Sequence, residues 1–232
     1  MYLDWTYVVL VLPAVLLSLY ASAKVKSTFS RFSKQHSSAH ITGAQAAQRI
    51  LYANGISNVQ VERVSGALTD HYDPKANVIR LSDSVYDSTS TAAIGVAAHE
   101  VGHAIQYAQG YAPIKLRAAI IPITNIGSKL AVPLIILGLL LSSFANFFIG
   151  VAYAGILFFG LVTVFQLVTL PVEFNASRRA MASIESQGML TEQERQGAKR
   201  VLSAAAMTYV AALAVTFAQL LRFMMLVDRR RD

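Results

Sequence analysis

His99-Glu100-Val101-Gly102-His103 sets two imidazoles four residues apart, with a carboxylate beside the first. On a helix, positions four apart lie one turn apart on the same face, so both rings can reach one cation. Two neutral imidazole nitrogens at that spacing suit Zn²⁺, which they bind at about 2.0–2.1 Å. A carboxylate next to the first ligand can take a proton from a water on the metal and pass it to a leaving amine. The expectation is therefore one zinc ion per chain, with His99 and His103 as ligands and Glu100 as general base. Shuffling a chain with 5 histidines and 6 glutamates would produce this pattern about 0.3% of the time, which makes chance a poor account of it.

A hydrolytic zinc normally has three protein ligands and one open position. No third histidine follows His103 closely, so the remaining ligand must come from elsewhere. Glu173 is the candidate. It is the first charged residue after Leu130–Val172, a run of 43 residues without Lys, Arg, Asp, Glu or His. The plainer reading of Glu173 is an interfacial carboxylate that caps the next helix; the two histidines lacking a partner favour the ligand.

The elements that must position these groups are mostly apolar. Hydrophobic residues make up 54% of the 232-residue chain and charged residues 14%, against roughly a quarter charged in a soluble domain. That composition excludes disorder and most nucleic-acid-binding domains. There are no cysteines, so neither disulfides nor thiolate chemistry is available. The net charge of +7 reads as a topology signal, with no nucleic-acid partner implied.

Three windows carry no charge: Trp5–Ala23, Leu130–Val172 and Val201–Leu221. The first and third each fit one membrane crossing of about 20 residues. The second is too long for one. It reads as a helical hairpin of Lys129–Ser143 and Gly150–Leu170, broken around Asn146 and Gly150. The first window is an uncleaved anchor, because Met1–Thr6 lacks Lys and Arg while Lys24, Lys26, Arg31 and Lys34 follow the apolar run. This charge bias puts residues 24–128 and 172–200 on the inner face. Two crossings separate His103 from Glu173, so all three ligands emerge on one side. The tail Arg229-Arg230-Arg231 breaks the rule if Val201–Leu221 crosses completely: either the last helix is not a full span, or the tail is an exception, or the orientation is inverted, so the expected number of crossings is three to four. The organisation expected is an anchor (1–23), an extramembrane domain with the histidine motif (24–128), a hairpin (129–171), a segment with the third ligand (172–200), and a C-terminal membrane helix with a basic tail (201–232).

Within the polar middle, Thr42 should cap a helix over Gly43–Ala53 that Asn54-Gly55 ends. Ser57–Val64 and Asn77–Ser82 alternate as strands, and His71-Tyr72-Asp73-Pro74 reads as a turn. His71 is accordingly a turn residue and no ligand. Residues 90–109 should form the motif helix, with Gly110 as its stop. The fold class expected is a mainly α polytopic membrane protein with a small α+β extramembrane domain.

Three stretches carry a resemblance: Asn77–Ser82, Ala97–Gln106 and Pro171–Ala180. Together with the order of anchor, motif domain, hairpin and glutamate segment, they resemble the YugP-like family of membrane zinc metallopeptidases. The likeness covers nearly the whole chain. It extends more distantly to HtpX-type membrane proteases and CAAX prenyl proteases. The resemblance implies a zincin-like domain, His99, His103 and Glu173 as zinc ligands and Glu100 as base; with the charge bias, the expected place is a bacterial plasma membrane with the site on its cytoplasmic side. One departure stands out. The HtpX-type pattern has an aspartate four residues after the ligand glutamate, where this chain has Ser177. Ser177 or Asn175 must then orient a histidine through neutral hydrogen bonds, or another residue must do so. Related zinc proteases bind peptide along an edge strand near the motif helix, which would here be Asn77–Ser82.

The leading expectation is a membrane-bound zinc endopeptidase acting on a peptide or membrane-protein substrate. One rival is a site-2-type intramembrane protease, whose motif helix lies in the bilayer. Another is a non-catalytic scaffold with a structural metal. Tyr72, Tyr107 and Tyr111 could each donate to an oxyanion, but interfacial anchoring explains tyrosines at a membrane surface as well. The basic residues after the first and third crossings, among them Arg31, Arg178, Arg179 and Arg200, could hold anionic lipid headgroups, although topology signalling alone explains them.

Overall fold

The computed structural model describes residues 4–230. Met1–Leu3 of the expected N-terminal region and Arg231 of the basic tail lie outside the described residues. A π-helical turn at Tyr7–Val11 leads into α1 (Leu12–Phe32). There follow α2 (Gly43–Ala53), β1 (Gln60–Val64), β2 (His71–Asp73), β3 (Val78–Ser82), α3 (Asp83–Tyr86) and α4 (Thr91–Ala108). Three long helices complete the chain: α5 (Ala112–Leu141), α6 (Phe147–Ser186) and α7 (Glu192–Asp228).

Contacts divide the chain into two units. One draws on the described residues of Met1–Ala21, Leu116–Leu170 and Thr208–Asp232; the other comprises Ser22–Lys115 and Pro171–Met207. Among the described residues, four helices are long and apolar enough to cross a membrane: Tyr7–Phe32, α5, α6 and α7. In the first unit, Arg222 near the end of α7 pairs with Asp4 at 3.2 Å, and the Tyr153 hydroxyl donates to Asp228 at 2.7 Å. The last turns of α7 therefore lie beside the start of the chain and the first turns of α6.

The apolar helices are longer than their charge-free windows. The hairpin's first arm begins at Ala112 rather than Lys129, and its second arm continues past Leu170 and Pro171 to Ser186. Absence of charge marks the length that hydrocarbon can cover. It does not mark helix ends, because Lys115, Arg117, Arg178 and Arg179 are all good helix formers.

In the second unit the capping chemistry is as expected. The Thr42 hydroxyl accepts from the backbone N–H of Gln45, whose side chain returns the bond to the Thr42 N–H. The Ser90 hydroxyl accepts from the backbone N–H of Ala93 and opens α4. Gly110, at φ +66°, supplies the left-handed residue that ends it. From Thr91 to Gln106 nearly every residue of α4 is buried. Ala93, Ile94, Ala97, Ala98 and Val101 meet Ala46, Ala47 and Ile50 of α2 and Ile79 and Leu81 of β3 in one core. Small residues on α4 let its neighbours approach closely enough to seal both faces.

Two strand assignments differ from expectation. His71–Asp73 is a strand, not a turn: it pairs antiparallel with β3, and the turn follows it, where the Asp73 carboxylate accepts from the N–H groups of Lys75 and Ala76. The sheet order is β1-β3-β2, with β1 parallel to β3. The stretch Asn77–Ser82 is therefore the central strand. Both of its edges are already paired, so it cannot take a peptide by strand addition.

Candidate metal centre

His99 and His103 project from one face of α4, and Glu173 projects from α6, two residues past Pro171. Their helices touch backbone to backbone. A Cβ built on Gly102 would lie 2.5 Å from the carbonyl oxygen of Ala176, so only glycine allows the approach. Ala176 is one turn beyond Glu173, and Gly102 adjoins His103. The close contact therefore sits beside the ligands it brings together.

One ligand atom from each of His99, His103 and Glu173 lies within 4.8 Å of the others. The Glu173 Oε2 atom is 3.3 Å from His99 Nε2 and 3.5 Å from His103 Nε2. Both separations exceed the roughly 2.7–2.9 Å of a charge-assisted hydrogen bond. They match the edge of a tetrahedron whose corners lie 2.0–2.1 Å from its centre, about 3.4 Å. The donor set, its spacing and its burial thus fit a zinc ion. Glu173 is 2% exposed, Glu100 8% and His103 9%.

The electrostatics favour a cation. Burial alone would push the His103 imidazolium toward its neutral form. The Glu173 carboxylate beside it, the charge of Glu100 and its bond to Gln106 outweigh burial and raise its pKa above the usual histidine value. A pocket that stabilises a proton in this way also stabilises a metal ion.

The far nitrogen of each imidazole has its own partner. His99 Nδ1 lies 3.1 Å from Ser177 Oγ, so the serine at the position of the HtpX-type aspartate does touch a histidine. His103 Nδ1 lies 3.0 Å from Gln106 Oε1. Gln106 is fully buried and donates through Nε2 to the Val172 carbonyl at 2.8 Å and to Asn175 Oδ1 at 3.0 Å. Asn175 Oδ1 also accepts from Arg179 Nε at 2.6 Å, and Arg179 reaches Gln109 as well.

A family model described as "Putative neutral zinc metallopeptidase" matches residues 7–228. The chain belongs to that family. It is similar to a protein of Bacillus subtilis (strain 168) named "Putative membrane protease YugP", being 48% identical to it over 226 residues, which is 97% of this chain and 98% of that one. No solved structure matches the chain. With four helices able to cross a bilayer, this family member is embedded in a membrane.

The remaining sequence candidates fall outside the ligand group. His71 lies on β2, where Nδ1 meets the Thr69 carbonyl oxygen at 2.9 Å. The Tyr72 hydroxyl donates to Asn77 Oδ1 at 3.4 Å, and its ring packs edge-on against Tyr107. The Tyr111 ring lies under the Arg179 guanidinium, 5.8 Å from its carbon. Sequence reasoning left Gln106 without a role. Its signal was a carboxamide one turn after His103, on a helix otherwise built of apolar and small residues.

Proposed function

We propose that the chain is a membrane-bound zinc endopeptidase in which His99, His103 and Glu173 hold one zinc ion and Glu100 is the general base. The observation that carries this reading is the convergence of two Nε2 atoms on one Glu173 oxygen at 3.3 and 3.5 Å, the spacing of tetrahedral ligands. Zinc held there lowers the pKa of water toward neutrality and polarises a carbonyl. Glu100, adjacent to His99 and nearly buried, takes the proton of the attacking water and delivers it to the leaving amine. The carboxylate of Glu173 compensates charge, and the backbone contact of Gly102 with Ala176 holds the ligand-bearing turns of α4 and α6 together. The reading of the chain as 1–23, 24–128, 129–171, 172–200 and 201–232 goes with this proposal.

The site faces the cytoplasmic side of a bacterial plasma membrane in this reading. Its support is the even number of apolar helices between His103 and Glu173 and the basic residues after Ala23. The substrate is a peptide or membrane-protein segment presented at that surface. The intramembrane alternative is disfavoured because α4 is not among the helices apolar enough to cross. Anionic lipid headgroups are partners in the same proposal. A polar cleft lined by Arg31, Gln35, Gln193, Gln196 and Arg200 has two guanidinium groups and no carboxylate in its wall.

Glu100→Gln separates the enzyme from the scaffold. The variant should keep about one zinc per chain while cleavage of a susceptible peptide substrate falls by about 10²–10⁴-fold. Unchanged cleavage would remove Glu100 as base. A wild-type chain that takes up no zinc in detergent would remove the function itself.

A further inference from the structure

A carboxamide has a direction: one end only donates and the other only accepts. Gln106 Nε2 faces two carbonyl oxygens, those of Val172 and of the Asn175 side chain, at 2.8 and 3.0 Å. Reversing the amide would set oxygen against oxygen at both contacts. The Oε1 end must therefore face His103 Nδ1, and at 3.0 Å that nitrogen must carry the hydrogen. The lone pair of His103 is then on Nε2, the atom directed at Glu173. Asn175 is oriented in turn, since its Oδ1 also accepts from Arg179, which can only donate.

His99 has no such constraint. Its Nδ1 meets the Ser177 hydroxyl, which can donate or accept. The two histidines are thus held differently: one by a rotor that tolerates either tautomer, the other by a chain of groups that permits one. Gln106 also spans the two ligand-bearing helices, because Val172 immediately precedes Glu173.

We propose that Gln106, oriented by Val172, Asn175 and Arg179, is the positioning residue of the metal site: it fixes His103 with its hydrogen on Nδ1 and its lone pair on Nε2, and braces α4 to the turn of α6 that bears Glu173. This inference rests on the zinc reading above. It assigns to a neutral carboxamide the work that a carboxylate does in other zinc sites.

Two measurements test it on the full-length protein in detergent. The first is zinc affinity by competition with a chromophoric chelator. Gln106→Leu, which keeps volume and burial, should weaken zinc by about 10–100-fold. Gln106→Glu keeps an acceptor for His103 Nδ1 but sets its second oxygen against the Val172 carbonyl and Asn175 Oδ1, so it should recover little of that loss. Ser177→Ala should cost less than Gln106→Leu, because the hydroxyl sets no tautomer. The second needs no variant: nitrogen NMR of the zinc-loaded, ¹⁵N-histidine-labelled wild type should show His103 protonated at Nδ1. Wild-type affinity in Gln106→Leu, or a His103 with no hydrogen on Nδ1, overturns the inference while leaving the zinc site intact. Absence of zinc binding by the wild type overturns both, so the two failures are distinguishable.

Discussion

Gly102→Ala adds one methyl group at the point where α4 meets α6. The new Cβ would stand 2.5 Å from the Ala176 carbonyl oxygen and 3.1 Å from its carbonyl carbon and Cα. All three are backbone atoms, so no rotamer change relieves the contact. Restoring an ordinary carbon–oxygen distance requires the helices to part by about 0.5–0.9 Å. Ligand constellations tolerate about 0.5 Å of displacement. The separation falls one residue from His103 and three from Glu173, so it acts directly on the 3.5 Å edge between them. Zinc affinity should fall by about 10–100-fold.

Stability reports the same clash with a sign that helix propensity cannot supply. Glycine to alanine inside a helix normally stabilises by about 0.5–1 kcal/mol. Overpacking costs about 1–3 kcal/mol. The sum should be a loss of stability in the metal-free protein. Gly160→Ala on the same α6 is the control, since nothing lies within 4 Å of its added Cβ. It should leave zinc affinity close to wild type and, with helix propensity acting alone, leave the metal-free chain as stable as wild type or more so. The assay is chelator competition alongside thermal unfolding with and without zinc. A Gly102→Ala protein that binds zinc as tightly as wild type and unfolds no earlier would refute the argument that backbone contact sets the ligand spacing.

Other outcomes follow from the same geometry. Glu173→Ala should abolish stoichiometric zinc in elemental analysis of the purified protein, because only the two imidazoles of the group remain; full retention would move the third ligand elsewhere. Arg31→Gln with Arg200→Gln should reduce the anionic lipid that accompanies the protein through purification, measured by mass spectrometry of the extract. An unchanged lipid complement would leave those arginines to topology alone.

The grouping of His99, His103 and Glu173 was more legible in the sequence than the architecture around it. His99 and His103 could be paired from spacing because one helical turn fixes their relation before any tertiary contact forms. Glu173 stood out because 43 uncharged residues isolate it. Strand order was not available in the same way. Nothing in Asn77–Ser82 says how many neighbours it has, and the short strand that covers its second edge is written in the residues of a turn, His71-Tyr72-Asp73-Pro74. Three residues give too little alternation to outweigh a following proline. Gln106 was hidden for another reason. A glutamine on a helix is ordinarily solvated, and only the approach of Val172 and Asn175 from a segment 66 residues or more away makes it a buried connector.

The neutral partners of the two histidines also have an electrostatic logic. Glu100 and Glu173 place two buried carboxylates beside His103. A divalent zinc ion held there would balance them. An aspartate at position 177 would add a third negative charge beside His99, where low dielectric makes uncompensated charge costly. One candidate for compensation, Arg179, is already committed to Asn175, Gln109 and the Tyr111 ring. Serine and glutamine orient the imidazoles while leaving the balance of two carboxylates and one dication undisturbed. Ser177→Asp therefore shifts that balance toward the anionic side, whereas Ser177→Ala removes only a hydrogen bond.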